Sequence, residues 1–267
     1  MKRLYTIIAL LFLSAVLLNS ASAQSVIPDP QIVDVVEDVR GRMEGVFEWG
    51  VTKDLSLEAG VEARFKDNIG SVDRIHTFVG ATYDIGKHIK VGGEYILINM
   101  YDSQIKAWES RRHRANINVE GEVKAGDFEF SLRERVQTTF RTDSVNRYEK
   151  PNPEIILRSR LTATYKIPHS RWSPYILFEL YNTLNAPKAV ANFKSEPLMV
   201  DNYITRYRAG VGAKYRADRD HRLDFFYYFD FDRNYNIDYK KGGGDIKGHV
   251  LELEVRHILG LSYKFKL

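Results

Sequence analysis

From Leu55 the chain alternates with period two. Leu55, Leu57, Ala59, Val61, Ala63 and Phe65 share one face, and Ser56, Glu58, Gly60, Glu62, Arg64 and Lys66 share the other. Side chains along a strand point to opposite faces in turn, so this segment is a strand with one dry and one charged side. The pattern recurs over Ile75 to Ile85, Ile89 to Leu97, Arg112 to Val123, Phe128 to Phe140, Leu157 to Ile167, Tyr175 to Tyr181, Tyr203 to Tyr215 and Leu223 to Phe231, with Met43 to Val51 as an earlier member. At the end, odd positions from Leu251 to Leu267 are apolar except His257, which makes one long strand. Its partner over Leu223 to Tyr239 keeps the same phase, and the hairpin tip falls in the Gly-rich stretch Lys240 to Gly248.

These strands have the length that a tilted strand needs to cross a hydrocarbon layer, about 9 to 11 residues. Short links at 52–54, 86–88, 124–127, 168–173 and 216–221 alternate with longer ones at 66–73, 99–111, 141–153 and 182–202. Short periplasmic turns and long external loops produce that rhythm. The fold expected is therefore all-β, an antiparallel transmembrane barrel of 10 to 12 strands. Eleven are countable; such barrels have an even number, so 12 is the expectation. The missing element lies between Ser25 and Arg40 or within 182–202. Alternatively, Ile32, Val35, Val36 and Val39 form a short amphipathic helix that plugs the lumen. A soluble lipocalin-like barrel shares the period, but not the short-long rhythm or the aromatic-ended strands.

Composition changes the picture in three places. Lys2 and Arg3, the apolar run Leu4 to Leu18 and Ala21-Ser22-Ala23 read as a signal peptide cleaved between Ala23 and Gln24. That divides the chain into 1–23, an N-terminal segment 24–39 and a barrel 40–267, and places the barrel in the outer membrane. Second, there is no Cys, which excludes disulfides, thiol catalysis and Cys-ligated metals. Third, a net charge of +4 is too balanced to argue for nucleic acid. The partners expected are outer-membrane lipids and the barrel-assembly machinery. Tyr and Phe gather at strand ends as interfacial girdles, and no cofactor is called for.

With the dry face toward lipid, the opposite phase points inward. It carries Glu58, Glu62 and Arg64, then Arg112, Arg114, Glu120 and Glu122, then Glu129, Arg133 and Arg135, then Arg158, Arg160, Arg206 and Arg208. Three consecutive strands each bring an Arg-x-Arg pair to one wall. Such a wall focuses a positive potential and favours a small anionic solute. In a narrow barrel the same residues interleave as a salt-bridged lattice, a purely structural use.

Enzymatic signals are thin. Neither a His-x-Ser pair nor a G-x-S-x-G elbow occurs, so no enzyme is expected. Asp230, Asp232, Asp238, Asp245 and His249 lie on or near the expected external hairpin, and define the one constellation suited to general-base hydrolysis. The histidines are otherwise expected at surface or interface, and Asp218-Arg219-Asp220-His221 reads as a turn, with no metal site.

Ser131-Leu132-Arg133-Glu134-Arg135, Leu157-Arg158-Ser159-Arg160-Leu161, Pro174-Tyr175 with Glu179-Leu180, Tyr203 to Gly212 and the closing His257 to Phe265 together resemble a family of bacterial outer-membrane barrels, catalogued as a domain of unknown function (number 2490). The resemblance runs from about Arg40 to Leu267 and implies fold and location, with no activity to carry over. The chain departs from the usual aromatic ending: Lys266 and Leu267 follow Phe265. Three functions follow as expectations: a small passive, porin-like channel or uptake barrel, a closed structural or surface-interaction barrel acting through its loops, and a hydrolase at the rim.

Overall fold

In a computed structural model of the chain, residues 31–144, 146–147, 149–187, 200–239 and 246–267 are described. They form eleven strands: β1 (Gln31–Gly50), β2 (Leu55–Lys66), β3 (Ser71–Ile85), β4 (Ile89–Asp102), β5 (Ala107–Ala125), β6 (Phe128–Arg141), β7 (Glu154–Tyr165), β8 (Trp172–Pro187), β9 (Val200–Arg216), β10 (His221–Tyr239) and β11 (Ile246–Lys266). Each pairs with its chain neighbour antiparallel, and β1 closes the ring against β11 in parallel. Closure leaves no edge, as any sheet in hydrocarbon must.

The count of eleven among the described residues falls within the expected 10 to 12, one short of the favoured twelve. Residues 31–39 are neither a helix nor a separate strand; they lengthen β1, which runs unbroken to Gly50. The barrel therefore begins before position 40. The chain enters β1 at the long-loop end and leaves β11 at the short-turn end, so the seam strands run the same way. Ladder bonds hold both sides of its lower end, with Gly50 N donating to Leu267 O at 3.1 Å and Leu267 N to Glu48 O at 2.9 Å. The signal segment 1–23 and residues 188–199 of the expected 182–202 link fall outside the described residues, as does the hairpin tip 240–245.

Two expected long links are mostly strand. β2 and β3 are joined by 67–70 alone, where Asp67, Asn68 and Ile69 adopt positive φ, and β4 and β5 by 103–106. The hairpins continue past the apolar belt, where both faces meet water and the period-two pattern fades. At the other end, Gly86 and Gly126 take the left-handed conformation that their tight turns require (φ 68° and 61°). In the turn 217–220, the Asp218 carboxylate accepts from the backbone N–H groups of Asp220 (2.9 Å) and His221 (2.8 Å). Those two donors hold its pKa below the ordinary Asp value.

The outward face is apolar. Val79, Ile117, Val136, Ile176, Val211 and Leu259 are all exposed. Aromatic pairs ring its short-turn edge: Phe47 with Phe265, Phe128 with Tyr165, Trp172 with Tyr215, while Tyr101 and Trp108 meet edge-on at the other. An exposed apolar belt of this kind, girdled by aromatics on a closed barrel, is a lipid-facing surface. Inside, two small apolar clusters interrupt the charge: Val46, Phe78, Ile96 and Ile98, and Tyr175, Leu177, Tyr228 and Ile258. Their rings lie over glycines directly across the ladder. Phe78 faces Gly60, Tyr228 faces Gly210, Tyr175 faces Gly212 and Phe226 faces Gly260, and a Cβ at each glycine would fall within 2.5 Å of the ring.

Candidate functional site

The charged lumen is built by the inward phase of every strand. On β7, Arg158 and Arg160 point inward beside Tyr181 and Glu179 of β8, their register partners. Glu179 is fully buried and collects four guanidinia: Arg158 and Arg160 at 3.0 Å each, Arg208 at 3.5 Å and Arg133 at 3.8 Å. Arg208 grips Asp230 with two parallel bonds, Nε to Oδ1 at 2.6 Å and Nη2 to Oδ2 at 2.7 Å. Such a fork is the strongest geometry open to an Arg-carboxylate pair. Arg206 bonds Asp232 and lies 3.7 Å from Asp230, and Arg256 reaches Asp232 at 2.7 Å. Tyr181 forms the floor of this cluster: the guanidinia of Arg158, Arg206 and Arg208 sit 4.6, 4.9 and 5.4 Å from its ring centroid.

A second chain of pairs follows the seam. Arg40 bonds both Asp38 and Glu254, Ser262 donates to Glu44, and Lys264 and Lys266 bracket Glu48 at 3.0 and 2.6 Å. Parallel pairing is the weaker ladder, and here side chains tie its two strands together.

The remaining sequence-selected residues distribute as follows. Arg135 lies 3.5 Å from Glu94, and Arg114 Nε donates to Thr139 at 3.1 Å. Glu62 bonds Arg64 and lies 3.4 Å from His76 Nδ1. Near the short-turn end, Glu58 meets Lys264 at 3.4 Å, Glu122 meets Lys124 and Lys90, and Glu129 meets Lys124 and Lys166. Glu120 stands in register between Lys90 and Arg133. Arg112 stands opposite Arg141 at the long-loop end, with no carboxylate within salt-bridge distance among the described residues.

Sequence reasoning missed the acids that organise this lattice. Glu179 sits on a strand apolar on both faces, so no alternation marks it. Asp230 and Asp232, expected on or near the external hairpin, are both buried in the lumen beside Arg206 and Arg208. Asp230 and Asp232 therefore leave the expected rim group, while Asp245 and the side chains of Asp238 and His249 lie outside the described residues. His76 is likewise a correction, since it is buried among lumen charges rather than at the surface.

The acids lie behind the bases. Side chains of Glu179, Asp230 and Asp232 are 0 to 3% exposed, whereas Arg133, Arg135, Arg160 and Arg206 keep 17 to 25%.

A family profile described as protein of unknown function (DUF2490) matches residues 47–240. Among solved structures, the chain is similar to the NanC porin in its rhombohedral crystal form, at 14% identity and a TM-score of 0.44, covering 86% of this chain and 99% of that one. Two structures of OmpT, an outer membrane protein of Vibrio cholerae, are also similar: the outer-membrane expressed form at 11% identity and TM-score 0.33, the in-vitro folded form at 10% and 0.32. Each comparison covers 73% of this chain and 59% of the OmpT chain. The sequence matches none of the curated proteins.

Proposed function

For this chain, which belongs to the DUF2490 family of proteins of unknown function, we propose the role of an outer-membrane barrel that passes small solutes through a narrow lumen and favours anions. The observation that carries this reading is a difference in exposure at the midsection: Glu179, Asp230 and Asp232 are buried, while Arg133, Arg135, Arg160 and Arg206 keep part of their surface. Field lines in a low-dielectric tube concentrate along its axis, so guanidinia on that axis select against cations more strongly than they would at a surface.

The test is ion current through the refolded barrel in a planar bilayer under a salt gradient. Anion-selective steps are expected, and neutralising Arg133 and Arg135 together should move the reversal potential toward zero. Both residues sit at the edge of the lattice, so the variant keeps the Arg208–Asp230 fork. A correctly folded barrel that passes no current would sink the reading.

A second reading is favoured by the depth of burial around Glu179. If four guanidinia and Tyr181 close the midsection, the barrel is a structural or surface-interaction protein acting through its long loops. A silent bilayer combined with a phenotype on deleting residues 188–199 would support it.

A further inference from the structure

Just inside the β2–β3 turn, three arginines face one another directly across adjacent strands. Arg42 of β1 is the register partner of Arg64 of β2, which is the partner of Arg74 of β3. Like charges directly opposite on a sheet are destabilising. Here the repulsion is only partly answered: Arg64 bonds Glu62 and Arg74 bonds Asp73 at 2.6 Å, but Arg42 has no acid within 4 Å among the described residues. Across β4, Arg112 and Arg114 project into the same end of the lumen. Neither has a carboxylate within that distance among the described residues; the nearby Glu154 is held by Arg141 at 3.1 Å.

His76 lies at the centre. Its side chain is 3% exposed, its ring Nδ1 faces Glu62, and its Nε2 is buried with no hydrogen-bond partner. Arg42, Arg64, Arg74 and Arg114 all act on this imidazole electrostatically. A buried ring nitrogen without a partner, among guanidinia of which only Arg64 and Arg74 have an acid beside them, is an arrangement that folding alone would avoid.

We propose that the long-loop mouth of the lumen is a binding site for inorganic hydrogen phosphate, held by Arg42, Arg64, Arg74, Arg112 and Arg114 with His76. A tetrahedral dianion offers enough oxygens to take forks from several arginines at once. His76 supplies the discrimination. The nitrogen facing a carboxylate carries the ring proton, so Nε2 is an acceptor. Hydrogen phosphate brings an O–H to donate to it. Sulfate, of the same shape and charge, has none at neutral pH, and a fully ionised phosphate ester has none either. The site binds whether or not the barrel conducts; as the entry to an anion passage it rests on the function proposed above.

The experiment is the melting temperature of the full barrel in detergent, titrated with inorganic phosphate, with sulfate and with a sugar phosphate, each at constant ionic strength set by chloride. Phosphate is expected to raise it saturably and at lower concentration than the other two. Arg42→Gln and Arg114→Gln should each weaken the phosphate midpoint about tenfold. Without phosphate each variant should melt at or above the parent, because a repulsion has been removed. His76→Phe should leave a residual oxyanion response that no longer separates phosphate from sulfate. Equal responses to all anions in the parent would overturn the proposal, as would an undiminished phosphate response in both arginine variants. A saturable phosphate response with a silent bilayer would overturn the passage and leave the site. Selective current without a phosphate response would do the reverse.

Discussion

Two carboxylates at the middle of the barrel wall have opposite fates. Glu179 points inward, and its charge is answered by four guanidinia. Glu179→Gln removes the shared counter-charge and leaves Arg133, Arg158 and Arg160 uncompensated in a buried setting. Breaking a buried ion cluster from one side costs about 3–5 kcal/mol, so the urea midpoint of the barrel in lipid vesicles should fall sharply. Glu134 points outward, between Val119 and Ser159 in register. One of its oxygens accepts from Ser159 Oγ at 2.7 Å, and the other is buried without a partner. It interrupts the apolar belt midway between the outward-facing Phe128 and Phe140. A carboxyl group against hydrocarbon is costly, though less so than Arg or Lys. Glu134→Leu is therefore expected to raise the same midpoint, by about 1 kcal/mol. An unchanged or lowered midpoint would mean that something other than lipid covers that position.

Pairs of strands are locked by inward rings seated over glycines. The glycine pattern is visible in the sequence at Gly60, Gly210, Gly212 and Gly260, yet nothing local says which ring fills which gap, because ring and glycine meet only through the register. Gly260 is the tightest: a Cβ there would sit 2.0 Å from the Phe226 ring. Gly260→Ala should destabilise the β10–β11 pair by about 1–3 kcal/mol, the usual range for overpacking. Combining it with Phe226→Leu should recover part of that loss, which a double-mutant cycle in urea would show. The strand segments themselves were legible, because period two survives wherever one face meets lipid. Their ends were less so. β4 and β5 extend past the belt, where water bathes both faces and polarity no longer reports direction.

The whole molecule closes through one parallel seam. Eleven strands in meander order bring β1 and β11 into parallel register, with Met43 opposite Leu261. Since the chain contains no Cys, Met43→Cys with Leu261→Cys should form a single cross-link on oxidation, seen as a mobility change on a non-reducing gel. Failure to link, in a barrel that still folds, would mean that the ring closes some other way. The repeating apolar face, the turn chemistry and the charged opposite face are local properties, and the sequence by itself determined the barrel and most of its strands. Strand number, closure and the choice of counter-ion were decided by tertiary structure. Asp230 reads from its sequence as a polar position on an external hairpin until β9 places Arg208 beside it, and Glu179 reads as one polar position in a greasy strand until four other residues converge on it. Period two tells a residue which side of the wall it occupies; only register and closure tell it what stands across the lumen.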